Sequence, residues 1–547
     1  IVVSGSVVFS SFAALTFTPM LATKLLVKRE QQSWFYRKTE PFFEGMNRVY
    51  SKSLAAFLKR RWIALPFTVV TILLIGFLWN TIPAEMAPLE DRSQISINTM
   101  GAEGVTYEYI RDYTEDINHL VDSIIPDAEA VTARVSSGSG NVRITLKDMK
   151  DRDYTQMEVA EKLSKAVQKK TMARSFVQQS SSFGGRRGGM PVQYVLQATN
   201  IEKLQEVLPK FMTKVYENPV FQMADVNLKF SKPEARININ RDKASIMGVS
   251  TKNIAQTLQY GLSGQRMGYF YMNGKQYEIL GEINRQQRNK PADLKGIYIR
   301  SDNGNMVQLD NLIELTGGIA PPKLYRYNRF VSATISAGLA DGKTIGQGLD
   351  EMDKIAKETL DETFRTALTG DSKEYRESSS SLMFAFILAI VLIYLILAAQ
   401  FESFKDPLII MLTVPLAIAG ALVFMYFGGI TMNIFSQIGI IMLIGLVAKN
   451  GILIVEFANQ KQEAGEDKMR AIKDASLQRL RPILMTSAST ILGLIPLAYA
   501  TGEGCNQRIA MGTAVVGGML ISTLLTMYIV PAIYSYVSTN RSKLKTE

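Results

Sequence analysis

The sequence predicts a polytopic α-helical membrane protein with an inserted α+β domain. Three observations predict it. Apolar runs of about twenty residues occupy both ends of the 547-residue chain, long enough to cross a bilayer core as helices. Between them, residues 83–375 are charged and alternate strand-like and helix-like patterns. Basic residues cluster in short segments beside the apolar runs, the asymmetry that sets membrane orientation.

Seven spans are expected. Residues 1–26 form the first, 27–61 a basic amphipathic segment, and 62–82 the second. Five more fall within 379–540, at Ser381–Ala399, Pro407–Phe427, Asn433–Phe457, Pro482–Ala500 and Ile509–Val537. In the amphipathic segment Phe42, Phe43, Met46, Val49, Leu54 and Phe57 recur at helical spacing. This predicts a helix that lies on the inner leaflet, packs on the other spans, or does both.

The soluble insert reads in order. Gln94–Thr99 is a strand, Val105–Ile125 a helix, Ala130–Ser136 and Val142–Lys147 strands around a Gly-rich turn, and Thr155–Val167 a helix. Ser180–Gly189 reads as a Ser/Gly/Arg-rich linker. The order then recurs with Val192–Gln197, Ile201–Tyr216, Met223–Leu228 and Ala235–Ile239. A different segment of about 250–326 interrupts it before Val331–Ser336, Thr344–Leu360 and Thr366–Thr369. Two ferredoxin-like units are inferred, 83–189 and 190–249 with 327–375, the second interrupted by the 250–326 insertion. Tyr269, Phe270, Tyr271 and Met272 in that insertion read as core rather than ligand pocket.

Orientation follows from charge. Lys24, Lys28, Arg29 and the basic residues through Arg61 share one side with the Lys461–Arg481 segment and the tail residues Arg541, Lys543 and Lys545. The turns 428–430 and 502–504 carry no Lys or Arg. The basic side is then cytoplasmic and 83–375 extracytoplasmic. The net charge of +11 is accounted for by these segments, which argues against nucleic-acid binding. One cysteine, Cys505, permits no disulfide within the chain, and one histidine, His119, gives metal ligation or His-based catalysis little to work with. No P-loop, Gly-x-Ser-x-Gly or HExxH occurs. No cofactor, metal or enzyme activity is expected. The chain opens directly in an apolar run with no basic start, so it is expected to be a piece of a longer protein.

Lys449 is the most informative residue. It stands inside the Asn433–Phe457 span, where a charge costs about 2.5–3.5 kcal/mol on insertion scales. It is either functional or a lysine snorkelling to the interface. Glu456 lies two helical turns away, about 10 Å along the axis and too far to pair. Glu402 and Asp406 read as part of a membrane-edge loop, so the counter-charge is expected from another polypeptide segment. Arg479 and Thr486, seven apart, share a helix face near the inner membrane edge. They are read either as a guarded water path with a proton-passing hydroxyl, or as an interfacial anchor with a hydroxyl bonded to its own backbone. Asn450 and Asn433 add polar atoms that need partners in the bundle. Gly512, Gly517 and Gly518, with Gly439, Gly445 and Gly451, predict close helix packing.

The runs Gln400-Phe401-Glu402-Ser403, Gly445 to Ala458 around Lys449-Asn450, and Arg479 to Thr486 resemble the resistance–nodulation–division (RND) permeases, in particular the hydrophobe/amphiphile efflux branch. The resemblance implies twelve membrane helices in the whole protein, of which this chain supplies the sixth to twelfth. It implies a periplasmic insert of two porter subdomains and a docking insertion. It also implies that Lys449, Thr486 and Arg479 belong to a proton relay whose aspartates sit on a helix absent here. The turn Ser136–Asn141 is short and lacks the Phe-bearing loop of the drug-pump members. By resemblance, the protein is a proton-driven exporter of small molecules and a homotrimer in the inner membrane of a Gram-negative bacterium. It would work with a periplasmic adaptor and an outer-membrane channel in multidrug resistance. The alternative is a lipid-sensing or scaffold membrane protein of the same architecture without transport.

Overall fold

The computed structural model describes residues 2–25, 34–179, 190–319, 323–340 and 342–539. The expected linker Ser180–Gly189 and the basic residues Lys28, Arg29, Arg541, Lys543 and Lys545 lie outside them. The chain divides into two compact units. One comprises Ile1–Pro83, Ser379–Thr501 and Cys505–Glu547, the other Ala84–Ser378 with Gly502–Gly504.

The helical unit begins with α1 (Val2–Leu25), α2 (Trp34–Lys59) and α3 (Ala64–Thr81). In α2, Tyr50, Leu54 and Leu58 are buried, whereas Phe42 and Val49 stay exposed. The helix therefore packs on the bundle by one face and keeps a second apolar face free.

The α+β unit opens with β1 (Gln94–Met100), α4 (Tyr107–Ile124), β2 (Ala130–Ser136), β3 (Ser139–Thr145), α5 (Gln156–Val167) and β4 (Arg174–Gln179). They form an antiparallel sheet of order β2-β3-β1-β4. Alternate burial along β1 puts Ile95 and Ile97 into a core with Tyr113, Ile117, Val142 and Leu163. Thr106 caps α4, and Thr155 with Glu158 closes a capping box on α5. The β2–β3 turn is only Ser137-Gly138, with Gly138 at φ +83°. Strand β3 thus starts three residues before the expected Val142. Gly140 pairs within the strand, and its lack of a side chain makes room for Thr114 of α4, with which a Cβ would collide.

The pattern continues with β5 (Val192–Ala198), α6 (Ile201–Glu217), β6 (Phe221–Val226), β7 (Pro233–Ile239), α7 (Arg241–Ile246), α8 (Thr251–Leu262), β8 (Gln265–Met272) and β9 (Lys275–Gly281). Then come β10 (Tyr298–Arg300), β11 (Met306–Gln308), β12 (Ile313–Ile319), β13 (Arg326–Tyr327), β14 (Phe330–Leu339), α9 (Ile345–Thr359) and β15 (Arg365–Leu368). The second sheet runs β6-β14-β5-β15, with β13 also on β14. Its strand and helix order repeats that of the first sheet. Strand β7 pairs with β12 and lies outside that sheet. The β8–β9 hairpin turns at Asn273-Gly274, both at positive φ. Tyr269, Phe270, Tyr271 and Met272 are 44, 44, 76 and 52 % exposed, so the reading of these residues as core is corrected. Both faces of the hairpin meet solvent.

The chain returns to the helical unit through α10 (Gly370–Phe401), then α11 (Lys405–Met411), α12 (Thr413–Phe427), α13 (Ile434–Glu463), α14 (Lys468–Ala498) and α15 (Cys505–Val537). Among the described residues, six helical segments are long and apolar enough to cross a membrane: Arg61–Thr81, Gly370–Phe401, Lys405–Phe427, Ile434–Glu463, Lys468–Ala498 and Cys505–Val537. The span expected at Pro407–Phe427 breaks at Leu412 into α11 and α12. Pro415 lacks the N–H that would carry the helical ladder back into α11. Helix α15 packs on α12, α13 and α14. Gly512 permits one of these approaches: a Cβ there would sit 2.6 Å from the Ala498 backbone nitrogen.

Candidate functional site

Helix α13 is 30 residues long, capped at its start by Asn433, whose buried side chain accepts from the Phe435 and Ser436 amides at 3.0 Å. Lys449 stands near its middle, about 21 Å from the carboxy-terminal end. Its side chain is exposed on a face with Met442 and Gly445, and nothing lies within 4 Å of a Cβ built at Gly445. Gly445 is therefore not a packing contact, whereas Gly439, Gly451, Gly512, Gly517 and Gly518 are. Lys449 makes no ion pair among the described residues, and Glu456 accepts from Gln460 at 2.9 Å instead.

One residue on, the helix turns inward. Asn450 is 2 % exposed and its amide donates to Ser487 Oγ of α14 at 3.2 Å and to Thr523 Oγ1 of α15 at 3.4 Å. Thr523 and Ser487 close the triangle at 3.2 Å. Three helices are thus tied by polar groups directly behind the lysine. Buried hydrogen-bonded clusters of this kind fix helix register, because breaking one strands a donor in apolar surroundings.

Arg479 and Thr486 are placed differently from Asn450. Thr486 Oγ1 donates to the Ile483 carbonyl at 3.1 Å, the self-bonded alternative. The Arg479 guanidinium lies over the Phe457 ring of α13, 4.4 Å from its centroid, and its Nε is buried with no hydrogen-bond partner among the described residues. Lys449, Arg479 and Thr486 do not bond to one another.

A second polar cluster was not anticipated. Asp406, expected in an edge loop, is 2 % exposed in the first turn of α11. Its Oδ2 accepts from Asn459 at 3.2 Å. Tyr534 OH donates to Asn459 Oδ1 at 2.6 Å and accepts from Gln462 at 2.6 Å. Ser487, Thr523, Asn459, Gln462 and Tyr534 are residues that the sequence did not single out, and Asp406 it placed only in an edge loop. The Gln462-Asn459 spacing on one helix face was the available signal.

In the α+β unit a cleft of about 600 Å³ opens between α5 with β4 and α6 with β6. Its wall carries Lys170, Arg174, Phe176, Tyr216 and Met223. Arg174 donates to Tyr216 OH at 3.3 Å and lies 3.7 Å from Asp225. Among the described residues no group of His, Cys, Asp and Glu side chains could hold a metal ion.

A family model described as the AcrB/AcrD/AcrF family matches residues 1–538. A relative from Haemophilus influenzae, described as an uncharacterized transporter, is 30 % identical over 551 residues, covering 99 % of this chain and 53 % of its own. The chain spans about half the length of that curated relative.

Proposed function

Because the chain belongs to the AcrB/AcrD/AcrF family, a family of transporters and not of enzymes, we propose that it is the carboxy-terminal half of a proton-driven exporter of small molecules, with Lys449 at the coupling site. What carries this reading is one arrangement: an ammonium in mid-helix, on a face the other described helices leave open, backed by the Asn450–Ser487–Thr523 cluster. A carboxylate from the half of the protein outside this chain would pair with it. Protonation of that carboxylate would release Lys449, and the tied helices α13, α14 and α15 would shift together. Arg479, held over Phe457 with a free Nε, guards the inner approach. Thr486 exchanges its backbone bond for a water in the proton path.

The finer architecture belongs to the same proposal. The two sheets of equal order are ferredoxin-like porter subdomains, 83–189 and 190–249 with 327–375, on the periplasmic side of the inner membrane. The 600 Å³ cleft between them is on the substrate path. Residues 250–326 are the docking insertion, and the solvent-facing β8–β9 hairpin supports contact with another subunit of a homotrimer and assembly with an adaptor and an outer-membrane channel. Drug or amphiphile specificity rests on resemblance, supported by the mixed aromatic and polar cleft wall.

The test is Lys449→Ala and Lys449→Arg in the full-length protein, with membrane insertion checked. Export falls to background in the first and stays reduced in the second. Normal export by Lys449→Ala removes the coupling role and favours a scaffold or lipid sensor.

A further inference from the structure

We propose that the groove between α2 and α14 binds the headgroup of an anionic phospholipid of the inner leaflet, with an acyl chain running up α14. The proposal rests on the orientation taken above, which puts both helices' basic ends on the cytoplasmic side.

The groove encloses about 780 Å³. Arg48, Lys52 and Arg481 line it with the neutral groups of Asn47, Ser51 and Gln478, and no carboxylate is in the lining. Arg481 is held in place by Glu40 at 3.1 Å and by stacking 4.8 Å from the Phe43 ring centroid, and remains one-third exposed. Arg48 pairs with Glu44 at 3.3 Å, but both are more than half exposed, so that pair is weak and readily exchanged. Lys52 makes no ion pair among the described residues. Asn47 Oδ1 is buried without a hydrogen-bond partner among them, an acceptor suited to a headgroup hydroxyl.

Helix α2 carries three faces. Tyr50, Leu54 and Leu58 are buried in the bundle, Asn47, Arg48, Ser51 and Lys52 line the groove, and Phe42 and Val49 are 71 and 70 % exposed. An apolar flank beside a cationic one is the arrangement of a helix at the headgroup–acyl boundary. Beyond the groove, α14 carries exposed apolar side chains on the same face. Pro482 lines the groove, and Met485 and Leu492, at helical spacing on the same face of α14, are 62 and 65 % exposed. A free phosphate would use the cations and leave this apolar track idle. A phospholipid uses both, as basic pockets between membrane helices do on cytoplasmic faces.

The experiment uses the full-length protein in detergent, titrated with phosphatidylglycerol, phosphatidylcholine or inorganic phosphate, with bound lipid read by native mass spectrometry. Phosphatidylglycerol is retained and phosphatidylcholine is not. The Arg48→Gln/Lys52→Gln double variant loses about thirtyfold in retention, two cations' worth of attraction. Lys24→Glu, an exposed basic site outside the groove, retains lipid as the parent does. Equal retention of both lipids, unchanged retention in the double variant, or displacement of the lipid by phosphate alone overturns the site. Labelling of a Lys24→Cys protein from outside intact cells overturns the orientation and the lipid assignment with it. Loss of export in Lys449→Ala has no bearing on lipid retention, so the coupling and lipid proposals fail separately.

Discussion

The two units treat charge in opposite ways. In the helical unit, buried amide and carboxylate side chains bond across helices, as in Asn450 with Ser487 and Thr523, or Asp406 with Asn459, while many buried hydroxyls, such as Thr68 and Ser476, bond their own backbone. In the α+β unit the core clusters are apolar, Ile95, Ile97 and Phe211 among their members, with buried polar groups such as Gln156 and Thr114 bonded to nearby backbone. Most of its ion pairs lie at the surface, such as Lys214 with Glu358 at 2.7 Å. The exception is Arg152, whose buried pair with Asp91 helps tie residues 91–93 to the start of α5. The same side chain carries different information in the two settings. A lysine on the α+β surface is one of many solvated charges, whereas Lys449 stands in mid-helix within a segment apolar enough to cross a membrane and makes no ion pair among the described residues.

The contrast is sharpened first by removing apolar bulk from the α+β core. Phe211→Ala deletes a fully buried ring and is expected to lower stability by about 3–5 kcal/mol, measured by denaturant unfolding followed through the α+β unit. A smaller loss is expected from Asn450→Leu, about 1–3 kcal/mol for unpaired polar groups left in the bundle, read as a lower melting temperature in detergent. If Asn450→Leu stabilises the protein, the cross-helix cluster is not what fixes the bundle. The smallest effect belongs to a surface pair. Glu108 is held at about 2, from an ordinary 4.5, chiefly by hydrogen bonds from the Arg285 guanidinium. Its folded value is depressed, so its small stabilisation is present above pH 4.5 and is lost as pH falls towards 2. Arg285→Ala returns the Glu108 titration to the ordinary range with the fold intact, as followed by NMR. A global loss of structure in that variant would mean that surface charge does organise this unit.

Much of the fold was legible because its determinants are local. Twenty apolar residues in a row announce a span, and alternation along Gln94–Thr99 announces a strand. The misses have non-local causes. Ser139–Asn141 read as turn because the reason for Gly140, the packing of Thr114, lies 26 positions away. The start of α10 at Gly370 is polar and carries no apolar period. Tyr269–Met272 look like core by composition, and only the hairpin's isolation exposes them. At the candidate site, the sequence marked Lys449 and Asn450 by their cost in a span. It could not assign Ser487 or Thr523, since a hydroxyl in a helix can always bond its own backbone, as Thr486 does. Asp406 was misplaced because its partner Asn459 is 53 residues distant.

The most direct measurement is zero-length carbodiimide cross-linking of the full-length protein in membranes, with peptide mapping of what couples to the Lys449 amine. The account predicts a carboxylate from a membrane segment outside these 547 residues. Coupling to Glu456 or Asp406, or an amine that reacts freely with water-soluble reagents and couples to nothing, would contradict it.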